Sequence, residues 1–110
     1  MLLESSLYRK VRDGIGCIQS GPQRITVKRP DGQPAPVSAG VRIAGADHDS
    51  QHLAVWSGKK VEVYEISSET CRYVAAFAKV TPLIAVKGDS IYCLVGSRIE
   101  VCNLQVPLVE

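Results

Sequence analysis

Hydrophobic positions alternate with other residues along much of this chain, at the two-residue period of β-strands. The clearest stretch is 53–65, LAVWSGKKVEVYE. There Leu53 and Val55 precede the small residues Ser57 and Gly58, and Val61 and Val63 follow them. Two alternating runs around such a turn predict a hairpin. The pattern returns 38 positions on, in 91–103, IYCLVGSRIEVCN. Leu53 falls on Ile91, Val55 on Cys93, Gly58 on Gly96, Val61 on Ile99, Glu62 on Glu100 and Val63 on Val101, so Val63 and Val101 are expected at equivalent buried positions. A fainter copy, one residue out of step, lies upstream, where Cys17–Gly21 precedes Ile25–Val27. Self-similarity at about 40 residues, with about four strands per unit, is the sequence signature of propeller blades.

The rest of the chain fits that frame. Leu2 to Arg12 reads as a short helix or as an outer strand left over from a preceding blade. Ile15–Gln19 and Arg24–Lys28 read as strands, and Arg29-Pro30-Asp31-Gly32 as a turn, with proline fixing one φ and glycine accepting a positive one. Pro34 and Pro36 demand an edge or irregular course, because neither can donate to a ladder. Val37–Ala44 reads as a short strand pair broken at Gly40, and Gly45–Ser50 (GADHDS) as a polar surface loop. Ser67-Ser68-Glu69-Thr70 is a turn before a strand at Cys71–Ala78, where Ala75, Ala76 and Ala78 make helix the competing reading. Thr81-Pro82 leads into Leu83–Lys87, and Gly88-Asp89 and Gly96-Ser97 separate the last three strands, which end near Leu104. The expectation is an all-β chain: an incomplete WD40-like β-propeller of about two and a half four-stranded antiparallel blades. Its repeat units are roughly 1–36, 37–78 and 79–104, with a tail at 105–110. Propellers close with typically four to eight blades, so such an arc leaves strand edges unpaired; the chain reads as a fragment of a longer propeller, ahead of one that pairs with another copy or a repeat that misleads.

Bulk composition narrows the function. With 110 residues the chain holds one domain at most, and 45% hydrophobic content argues against disorder. A net charge of +2, with acids and bases interspersed, leaves no nucleic-acid or polybasic membrane footprint. The first residues lack a basic segment followed by an apolar run, and no stretch approaches the roughly 20 apolar residues of a membrane span. The expectation is a soluble, intracellular protein with no membrane insertion. Cys17, Cys71, Cys93 and Cys102 form no CxxC pair and read as small reduced hydrophobes.

Candidate chemistry is sparse. His48 and His52, with Asp47 and Asp49 beside them, invite a metal reading, but a segment between strands is not the helix that such spacing needs. No metal or cofactor is expected. No G-x-S-x-G, P-loop or paired-carboxylate pattern occurs, so no enzyme is expected either. Trp56, at the end of a strand, is first a packing residue and second a partner-binding anchor. Lys59, Lys60 and Arg98 sit at equivalent turn exits and could form a basic stripe, or simply protect sheet edges. Arg24, Lys28 and Arg29 lack the aromatic platform of a nucleic-acid site.

The run Ala54 to Ser67, AVWSGKKVEVYEIS, resembles a stretch in the second propeller of the hundred-and-forty-kilodalton subunit of intraflagellar transport complex A. The similarity continues through Ala76-Phe77, Thr81-Pro82-Leu83-Ile84-Ala85, Ile91-Tyr92 and Arg98-Ile99-Glu100-Val101. The Trp-Asp ending of a WD40 repeat is absent; Tyr64-Glu65 and Cys102-Asn103 stand in its place. The resemblance implies a scaffold without chemistry of its own, in the complex that drives retrograde ciliary transport and helps bring membrane-protein cargo into cilia. Its implied partners are other complex A subunits and cargo adaptors; its implied locations are the cilium, the basal body and the cytoplasm. Trp56, Lys59, Lys60 and Arg98 are the candidate contact residues. The alternative is a free-standing small β domain that binds an anionic ligand or nucleic acid through Arg24, Lys28, Arg29, Lys59 and Lys60.

Overall fold

A computed structural model of the chain describes residues 8–30, 32–67, 70–78, 80–81 and 84–104. Strands and turns account for its regular structure, and no helix occurs among the described residues. One antiparallel sheet runs in chain order through β1 (Arg9–Arg12), β2 (Ile15–Gly21), β3 (Arg24–Lys28) and β4 (Ala35–Ser38). The second holds β5 (Gly45–His48), β6 (His52–Trp56), β7 (Lys60–Ile66) and β8 (Cys71–Ala78). The third has β9 (Ile84–Lys87), β10 (Ser90–Val95) and β11 (Arg98–Asn103). Sheets of four, four and three strands stand side by side as an arc that does not close.

The opening strands gather at the inside of the arc. β5 lies along β9, and the Arg12 side chain at the end of β1 donates to the carbonyls of His48 and Val86. At the outside, β4 meets β8.

Alternation here sorts side chains between two seams. Across the β6–β7 ladder, Leu53 faces Tyr64 and Val55 faces Glu62 on one side; Ala54 faces Val63 and Trp56 faces Val61 on the other. Leu53, Val55 and Tyr64 join Ile15, Cys17, Ile25, Val27 and Val37 of the first sheet in one core. Ala54, Trp56, Val61 and Val63 join Ile84, Val86, Ile91 and Cys93 of the third sheet in another. A strand covered on both faces has no solvent side, which is why 53–56 is apolar without interruption. Each fully buried Val or Leu contributes about 1.5–3 kcal/mol. The hairpin turns agree with the repeat: Gly58 and Gly96 both take positive φ, 99° and 64°, as turn glycines do.

Several sequence expectations change. β1 is an inner strand beside the hub, not the outer strand of a preceding blade; residues 2–7 lie outside the described residues. Val37 closes the first sheet, pairing with Ile25 on β4, and Ala39 to Ala44 is an irregular crossing with no strand pair. β4 is the sheet edge that Pro36 requires. Gly45–Ser50 is no surface loop: it contains β5, and Asp47, His48 and Asp49 are buried. Cys71–Ala78 is a strand, its propensity overridden by packing of Ala75 and Phe77 on the second core. Val101 occupies the Val63 position in the repeat but is 54% exposed, not buried. The Ser68-Glu69 turn positions, Pro82, Leu83 and the 105–110 tail lie outside the described residues.

Candidate functional site

Polar side chains of the second sheet lock it to both neighbours. His48 is fully buried; its Nε2 donates to the Ile15 carbonyl at 2.8 Å, because a carbonyl only accepts. In the neutral ring that leaves Nδ1 to accept from the Tyr8 hydroxyl at 2.9 Å. Burial, reinforced by the Asp47 charge, holds the Tyr8 phenol above its ordinary range. Toward the third sheet, Asp47 Oδ2 accepts from the Val86 N–H at 2.7 Å, while Lys10 and Arg12 lie 3.4 and 3.6 Å from the same carboxylate. Asp49 Oδ1 accepts from the N–H groups of Gln51 and His52, and Oδ2 from that of Gly88. His52 Nδ1 donates to the Gly88 carbonyl at 2.8 Å. Burial pushes the Asp49 carboxyl up, but the three backbone donors outweigh it and leave the group below its usual value.

This arrangement missed by the sequence reading is a joint. His48 points to the first sheet and His52 to the third, so the pair serves different seams. The repeat gave no hint of it, since Asp47 and His48 fall on Ala85 and Val86. The signal available was Asp49-x-Gln51-His52, an Asx-turn pattern that ties one strand to the next.

The four residues singled out from sequence divide in two. Trp56 is 7% exposed, its ring lying over Gly45 on the paired strand. Lys59, Lys60 and Arg98 are exposed, at equivalent turns on one rim of the arc. Lys60 lies 3.8 Å from Glu62, and Arg98 lies 3.3 Å from Glu100, the same pair 38 positions on. The largely exposed Arg98–Glu100 pair contributes about 0–1 kcal/mol, whereas the acid of the Lys60 pair is covered. Buried Glu62 also accepts from the Gly40 N–H at 2.8 Å and the Tyr64 hydroxyl at 3.0 Å.

The five cations of the anion-binding alternative do not form one patch. Arg24 and Lys28 lie on the side of the first sheet turned away from the second, whereas Lys59 and Lys60 lie on the rim of the second. Arg29 reaches toward Cys71, and its Nη2 is buried with no hydrogen-bond partner among the described residues. The cysteines are free thiols; burial, followed by the influence of Cys71 and Asp47, pushes the Cys17 thiol up to about 12.

The third sheet leaves its outward side bare. Ile99 and Val101 are 65% and 54% exposed, although Val61 and Val63 at the matching positions are fully covered. Ile84, Ala85, Tyr92, Cys93, Leu94 and Ile99 line a shallow apolar depression there.

A family model described as the IFT140 second beta-propeller matches residues 13–106. The chain belongs to that family. In an IFT140-type propeller the three sheets are blades, and the bare side of the third is the surface a following blade covers. The buried polar joint then has a plain role: it fixes the angle between consecutive blades through backbone groups.

Proposed function

We propose that the chain is a non-enzymatic scaffold piece of an intraflagellar transport complex A subunit. It acts by protein–protein contact through blade faces and edges, at the cilium, its basal body and the cytoplasm. Its partners are other complex A subunits and cargo adaptors, and the processes served are retrograde ciliary transport and entry of membrane cargo. The family match carries the reading. The open third face supports it, because an apolar sheet side is a contact surface that chemistry does not require. Trp56 contributes by packing beneath the rim; Lys59, Lys60 and Arg98 supply its exposed charge.

Expression of the tagged chain in ciliated cells tests this directly. Complex A subunits are expected to co-purify with it, and the tag to concentrate at the ciliary base. Substituting Ile99→Asp together with Val101→Asp should reduce that co-purification. A diffuse tag with no complex A subunit recovered would overturn the proposal.

A further inference from the structure

The two open ends of the arc are chemically unlike. On the third sheet the bare side carries Ala85, Tyr92, Leu94, Ile99 and Val101. On the first sheet the bare side carries Arg9, Arg24 and Lys28 around Val11 and Ile18, which are 74% and 46% exposed. Register places them together. Arg9, Ile18 and Thr26 form one cross-strand row, and Val11, Gly16 and Lys28 the next. Val11 lies against Gly16, where a Cβ would come within 3.7 Å of its Cγ2. No Asp or Glu occurs in any strand of this sheet. Lys10 and Arg12, on the other side, are matched by Asp47, whereas Arg9, Arg24 and Lys28 have no ion pair with any described residue.

We infer that this face docks a separate polypeptide surface on which carboxylates flank an apolar centre. Arg9 and Lys28 stand two strands across and two residues along from each other, so matching carboxylates lie about 12 Å apart. A second copy in head-to-tail contact does not fit, because the described strands of its open third face offer Lys87 and mainly apolar groups but no acid; Glu100 lies on the covered side, opposite Cys93. Nucleic acid is disfavoured by the exposed Val11 and Ile18 and by the lack of an aromatic in these four strands.

The test uses the full chain and fluorescence anisotropy. The probes are a labelled, end-blocked octapeptide of sequence Glu-Ser-Val-Ser-Glu-Ser-Val-Ser, which as a strand presents two carboxylates around a valine on one face, its counterpart with Gln for Glu, and an oligothymidine. The acidic peptide is expected to bind and the Gln peptide not to. Its affinity should fall about tenfold between low and moderate salt, as contacts between exposed charges are screened. The triple variant Arg9→Glu, Arg24→Glu, Lys28→Glu should bind at least about tenfold more weakly while keeping its melting curve, since all three side chains are exposed. Val11→Ser should also weaken binding, which a purely ionic site would not show. Equal binding of both peptides, no binding of the acidic one, retention by the triple variant, or tighter capture of oligothymidine would each overturn the inference.

Discussion

Asp49 shows how much of this fold depends on single polar side chains. Its carboxylate accepts from three backbone N–H groups, two on its own turn and one, Gly88, on the third sheet. Those donors hold its folded value below that of the unfolded chain, which is about 3.9. A carboxyl depressed on folding adds stability above the unfolded value and loses it as pH falls through the folded one. Asp49→Asn is therefore expected to lower the melting temperature at neutral pH and to flatten the acid decline below about pH 4. Melts of both proteins across an acid series check this; parallel declines would show that the carboxylate charge does not carry the contact. Sequence reading missed Asp49 and its neighbours for a physical reason. A polar tetrapeptide reads as surface unless its partners are known, and here they are Tyr8, Ile15, Val86 and Gly88, far along the chain.

At the scale of the element, strands were the legible part. The β6–β7 hairpin and its copy β10–β11 were readable because alternation, turn glycines and the 38-residue offset all pointed the same way. Placement was less readable: β1 and β5 lack apolar alternation, so their inner position emerges only from contacts with other sheets. The β5–β6 pair holds a close fit of its own. A Cβ on Gly45 would come within 2.7 Å of Trp56 Cε2, so the ring, which packs in the second core, or the strand must shift. Gly45→Ala is expected to cost about 1–3 kcal/mol in denaturant melts. Combining it with Trp56→Leu should recover part of that cost, giving a coupling of about 1 kcal/mol. Strict additivity of the two changes would mean that ring and glycine do not meet.

For the whole molecule, the open arc makes equivalent residues inequivalent. Val63→Asp buries an unpaired charge between the second and third sheets and should destabilise by about 3 kcal/mol or more. Val101→Asp, at the same place in the repeat but on the bare side, should change stability by less than about 0.5 kcal/mol. Urea melts of the two variants test whether the third sheet is uncovered in solution, and equal losses would mean that something covers it. The two cores have no residue in common. Such a molecule behaves less like one globule than like a short stack of cards, each held by its neighbours. Unfolding can then begin by peeling away the third sheet while the seam between the first two persists. Arg12, anchored in β1 and bonded to Val86 of β9, is the clasp that such peeling must undo.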